Sequence, residues 1–327
     1  MKSDALSRNF HKWPAALLML VIACAYTALA GFSQGQPLFQ GDQGIGLPSP
    51  DNWPLTPVAS MLCNEGLTVL IMAMMIGLNR TYNVLRSMTW LPVGLFAMMQ
   101  AAVPREIIYL SSGTLLCLVV SVCLFLIFST FDNPVHVRTV FLTFLLLSLG
   151  SVFQYCFIFF IPVFWIVCMQ MRVFTARGFI GSLLGIATVW VILFGFGLVS
   201  PSDIHIPGIT NLFEAIDLHS AMYLLTVAAI TTFIMVISIV ANIMKTIAYN
   251  ARARAYNGAI LIVSLASVLA MVFDYDNMLA YLPLLNMCAA FQITHYFVNH
   301  RYERQYIAIL AVIAIYVVLY LWRLTII

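Results

Sequence analysis

The sequence predicts an all-α bundle of membrane-spanning helices in a single integral membrane domain. Three observations predict it. The chain has 327 residues, of which 63% are hydrophobic and only 8% charged. Its mean hydropathy is +1.00. Soluble domains carry roughly 25% charged residues, so most of this surface has to face lipid. The third observation is the placement of charge: apolar runs alternate with loops that are either rich in or free of Lys and Arg. The net charge of +3 gives no reason to expect nucleic acid as a partner. The bilayer itself is the expected one.

The N-terminus carries Lys2, Arg8 and Lys12, followed by an apolar run over 14–32. Basic residues stay on the cytoplasmic side. Ala28-Leu29-Ala30 has the small-residue pattern of a signal-peptidase site. The run is longer than the ~7–15 residues of a signal h-region, so an uncleaved first helix is expected. Residues 33–57 hold Gly, Pro, Gln and Asp but no Lys or Arg, which places this loop outside. Asp42, Asp51 and Trp53 are its distinctive residues.

Further segments are expected at 58–78, 89–103 and 112–130. Between them Arg80 and Arg86 lie inside and Pro104-Arg105-Glu106 turns outside. The next apolar run, Thr139 to Met171, lies between Arg138 and Arg172 and contains no formal charge. As one helix it would extend about 50 Å at ~1.5 Å per residue. The hydrocarbon core is only ~30 Å thick. A single crossing would also invert every later loop and destroy the charge alternation. A hairpin of two short segments, 139–152 and 155–171, returns the chain to the same face.

Segments at 179–199, 221–242, 259–273, 278–298 and 306–326 complete about eleven. The N-terminus lies inside and the C-terminus outside. Of 15 Lys and Arg, 13 then fall inside, and only Arg105 and Arg323 fall outside. No internal repeat stands out.

Candidate functional residues are few. Glu65, beside Asn64, is the one acid well inside an apolar helix. A charged side chain there costs ~2.5–3.5 kcal/mol on insertion scales. Such a group either faces a wet cavity, as a proton or substrate site, or sits near headgroups paired with Arg105. Gln292, His295 and Asn299 share one helical face. They form either a polar stripe toward the cytoplasm or interhelical hydrogen bonds. Asp274 and Asp276 flank Tyr275 in an outer turn, as a cation or acid–base pair or merely as solvated acids. Arg172 and Arg177 belong at anionic headgroups or on a lipid phosphate. Asp42 or Asp51, with Arg105 on a phosphate, would suit a transferase acting on a lipid-linked glycan.

The seven cysteines form no CxxC or Cys/His spacing and read as small apolar residues. His205 and His219 have no third ligand in sight, so no metal site is expected. No Walker, GxSxG or HExxH motif is present. No catalytic motif and no cofactor are indicated.

One segment, MQMRVFTARGFIGSLLGIATVW, resembles an uncharacterised family of polytopic inner-membrane proteins of the Bacteroidetes type, a domain of unknown function. In that family a short apolar hairpin precedes a basic turn with an Arg at each end, then a Gly-containing helix. The matching positions here are Arg172, Arg177, Gly178 and Gly185. The tail DYDNMLAYLPLLNMCAAFQITHYF is similar too, with Leu282-Pro283-Leu284 inside an apolar helix. Val189-Trp190 stand where the family has a proline. The resemblance covers the C-terminal two-thirds and implies a polytopic fold in the bacterial inner membrane, without an activity. The expected function is a non-enzymatic envelope assembly or transporter-like component, whose partners are other envelope membrane proteins. The alternative is a glycosyltransferase or polymerase acting on a polyprenyl-linked glycan at the outer face.

Overall fold

The computed structural model describes residues 10–31, 44–132, 136–200, 202, 204, 222–300 and 305–326. Among them the chain is helical throughout, without strands. The helices are α1 (Trp13–Gly31), α2 (Pro57–Tyr82), α3 (Leu91–Ala101), the single turn α4 (Arg105–Ile108), α5 (Ser112–Phe128) and α6 (Val137–Phe153). They continue as α7 (Phe160–Gln170), α8 (Ala176–Gly195), α9 (Met222–Ile247), α10 (Ala251–Phe273), α11 (Met278–Asn299) and α12 (Gln305–Ile326). Five of these, α2, α8, α9, α10 and α12, are long and apolar enough to cross a membrane.

Helix ends differ from the hydropathy limits for a physical reason. Backbone hydrogen bonding continues into polar turns that no longer face lipid. Thus α10 starts at Ala251, where Asn250 caps it by accepting from Ala253 N at 2.9 Å. The expected start was residue 259. Thr56 and Thr175 cap α2 and α8 in the same way, and Pro57 opens α2.

The expected segment at 89–103 becomes α3, only 11 residues long and buried along its whole length. At ~1.5 Å per residue it covers about 16 Å, half a hydrocarbon core. It fills the bundle rather than facing lipid.

The run from Thr139 to Met171 does fold back. α6 ends at Phe153, Gln154 is extended, a 3₁₀ turn follows (Tyr155–Phe159), and α7 returns. The far end of α7 meets the approach to α6, where Asp132 N donates to Met171 O at 3.1 Å. Arg172 stands 4.0 Å from Asp132, both well exposed.

α11 is the axis of the molecule. Of its 22 residues, 18 are buried, against α3, α5, α9 and α10. Pro283 inside it has no N–H to give the Leu279 carbonyl. Gly113 of α5 comes so close that an added Cβ would sit 2.8 Å from that oxygen. α6 and α8 also approach closely. A Cβ on Gly185 would lie 2.5 Å from Phe141 O, and one on Gly181 would lie 2.7 Å from Val137. Small residues let helices pack this tightly where no hydrophobic effect drives them together.

Candidate functional site

Two clusters of polar side chains lie at the two ends of α11. At one end three turns converge. The 3₁₀ turn Pro50–Asn52 belongs to the first loop, Gln154-Tyr155 to the hairpin, and Tyr275–Asn277 joins α10 to α11.

Asp274 lies at the centre of this cluster and is fully buried. Tyr155 Oη donates to its Oδ1 at 2.6 Å, and Tyr281 Oη to its Oδ2 at 2.7 Å. Asn277 Nδ2 donates to Oδ1 at 2.9 Å and also touches the Tyr155 hydroxyl. The Cys156 thiol lies 3.9 Å from Oδ2. A carboxylate out of water needs several donors, and here the chain's own residues supply them. Tyr281 reaches back two helical turns from α11, and Tyr155 comes from 119 residues away.

The cluster continues outward. Gln154 Nε2 donates to Asn277 Oδ1 at 3.4 Å. Ser49 Oγ lies 2.9 Å from Gln154 Oε1 and 3.0 Å from Asp51 Oδ2. Asp51, exposed, accepts from Ser112 N at 3.3 Å, at the start of α5. An acid is favoured there by the helix dipole. The same loop closes the end of α6. Ile45, Gly46 and Leu47 all point their N–H groups at Val152 O, each at 3.2 Å. A helix leaves its last carbonyls unsatisfied, and this loop satisfies one of them.

At the opposite end of α11, His295 Nε2 is 3.1 Å from Asn299 Nδ2. Tyr249 donates to Asn299 Oδ1 at 2.6 Å, and Asn299 Nδ2 to Asn242 Oδ1 at 3.2 Å. Lys245 Nζ donates to Asn299 O at 2.7 Å. The Arg86 guanidinium lies 4.4 Å above the Tyr249 ring. Here the polar stripe is an interhelical hydrogen-bond cluster joining α9, α11 and the turn before α10. Gln292 is buried one turn further in.

The expected site residues are therefore distributed as follows. Asp51 and Asp274 are joined through Ser49, Gln154 and Asn277. Asp276 is exposed beside them. Asn64 is buried, donating to Ile107 O at 3.0 Å. Glu65, next to it, points the other way and is exposed. It does not face the bundle interior, because the neighbouring Asn64 takes that side of α2. Arg172 pairs with Asp132 and Arg177 is exposed. Asp42, His205 and His219 lie outside the described residues, as does the side chain of Arg105 and with it the expected Glu65–Arg105 pair.

Sequence reasoning missed Ser49, Tyr155, Asn277 and Tyr281. The only local signals were Gln154-Tyr155 at the hairpin bend and the one-helix-face spacing of Asp274 and Tyr281. Among the described residues no group of three or more His, Cys, Asp or Glu comes together to hold a metal ion. No protein-family model, no curated protein and no solved structure matches the chain.

Proposed function

We propose that this chain is a multi-pass protein of the bacterial inner membrane that serves as a non-catalytic component of an envelope assembly. It crosses in about eleven segments including the hairpin, with its N-terminus inside and its C-terminus outside. The family resemblance carried by Arg172, Arg177, Gly178 and Gly185 is part of the same proposal.

Contacts between helix ends support the sidedness. At the proposed cytoplasmic end His11 meets Thr89, Asp132 meets Arg172, Arg86 meets Tyr249 and Lys245 meets Asn299. At the proposed outer end Asp51 meets Ser112 and Gln154 meets Asn277. Tyr223 meets Ala102 there, and Tyr26 stacks on Tyr320. Each pair joins residues that charge bias puts on one side. Cysteines replacing Arg138 and Arg172 should be labelled from the same face of the membrane. Labelling from opposite faces would overturn the topology.

One observation carries the non-catalytic reading: Asp274, fully buried at the proposed outer end, has its donors within the chain, from the hairpin bend, its own turn and α11. Asp51 is likewise engaged in fastening its loop to α5. The transferase alternative takes Asp42 or Asp51 as its base. With Asp51→Asn and Asp42→Asn in cells, surface-glycan profiles should stay unchanged. Loss of the glycan at normal protein level would favour the polyprenyl-linked glycan transferase instead.

A further inference from the structure

Glu65 stands on the exposed face of α2 among aliphatic side chains. Val58 is 65% exposed, Leu62 61% and Val69 59%. These residues are one or two helical turns from Glu65 and share its side of the helix. Pro57 begins α2, so Glu65 lies about 12 Å along the axis at ~1.5 Å per residue. That is inside the hydrocarbon of a helix that spans it. Among the described residues Glu65 has no hydrogen-bond or salt-bridge partner.

α1 stands beside this face of α2. α1 and α2 both lean on α3 and α4. The exposed Cys24 thiol of α1 lies within electrostatic range of Glu65 across the gap. Gly66 lies beside the acid, and an added Cβ there would meet nothing within 4 Å. A second backbone can approach closely at such a residue.

A carboxylate facing hydrocarbon is costly, and intramembrane acids are paired with a cation where one is supplied. We infer that the exposed face of α2 around Glu65, beside α1, docks a transmembrane helix of another membrane protein, one that presents a Lys or Arg level with Glu65. The inference rests on the assembly reading and names the kind of partner it requires. Charge complementarity selects this occupant, and among the described residues no Lys or Arg of the chain itself pairs with Glu65. Among the described residues, Arg323 lies over the Tyr223 ring near the end of its helix, 5.1 Å from the ring centre. Lys245 is bonded to Asn299 O at the opposite end of the bundle.

The test uses the full chain reconstituted in phosphatidylcholine vesicles with a synthetic Leu/Ala peptide of about 22 residues, long enough to span. The peptide carries one Lys level with Glu65 and one cysteine a turn away. Disulfide yield to Cys24 or Cys63, both exposed, is compared with a peptide bearing Leu in place of Lys. The Lys peptide is expected to cross-link about tenfold more, a difference of roughly 1.4 kcal/mol. Glu65→Gln should remove that preference. Equal yields from the two peptides, or a preference that survives Glu65→Gln, would overturn the inference. So would Cys63–Cys63 dimers of the chain that depend on Glu65, since the occupant would then be a second copy. A glycan defect in Asp51→Asn would sink the assembly reading without changing these yields, so the two failures are distinguishable.

Discussion

Asp274 and Glu65 are both carboxylates in a largely apolar chain, and they sit in opposite circumstances. Asp274 is fully buried and receives hydrogen bonds from Tyr155, Tyr281 and Asn277. Glu65 is exposed on an aliphatic helix face. A buried acid that its own fold satisfies works inward, fastening the hairpin bend to the start of α11. An acid left bare where a helix meets lipid works outward, toward whatever covers it. Burial alone therefore does not mark a functional acid. What separates the two is the source of the donors.

The sharpest way to break this comparison is Asp274→Ala. It leaves two tyrosine hydroxyls and an amide without their acceptor in a dry site. At 1–3 kcal/mol for each stranded group, the loss should reach about 3 kcal/mol or more. Thermal unfolding in detergent would show it as a large drop in midpoint. A midpoint within a degree or two of the wild-type value would mean the cluster holds nothing together.

Removing one donor should cost less. Tyr281→Phe keeps the ring and loses one hydrogen bond to a carboxylate, for about 1.5–3 kcal/mol. With Tyr155→Phe in a double-mutant cycle the two should be non-additive, since both serve one carboxyl. Additive losses would show that the two tyrosines act separately.

Two glycines extend the comparison to packed and open faces. Gly185→Ala drives a Cβ against the Phe141 carbonyl at 2.5 Å, and should cost about 1–3 kcal/mol through backbone displacement. Gly66→Ala meets open space and should instead stabilise by up to ~1 kcal/mol through helix propensity. Opposite signs in one melting series would confirm that α8 is packed against protein while this side of α2 is not. Least affected should be Asp132→Asn. The Asp132–Arg172 pair is 63% exposed on both sides, and such pairs contribute about 0–1 kcal/mol.

Much of the helix layout was legible from hydropathy and charge. Every expected apolar segment carries helix, and the hairpin between Arg138 and Arg172 follows from length and charge alternation alone. The limits failed where hydropathy and hydrogen bonding part company. α10 begins eight residues early, because Arg252 and Arg254 are tolerated in a helical turn that leaves the apolar layer. α3 is shorter than expected, starting with Pro92 in its first turn and ending at Ala101, ahead of Pro104. Of the candidate residues, the pattern picked out Asp51, Asp274, His295 and Glu65. It did not reveal that the first two belong to one cluster, nor that Glu65 turns away from the bundle.

The sequence by itself determined that this is an all-helical chain suited to a membrane, with a fold-back in its middle. Those properties depend on local composition, on the length of each apolar run and on where basic residues stop. Only the tertiary structure decided which polar residues meet. Tyr155 and Asp274 are 119 positions apart, and Ser49 and Gln154 are 105 apart. No local rule relates positions so distant. The loops that carry them are brought together by the packing of apolar helices around α11, and their hydrogen bonds form only once that packing exists.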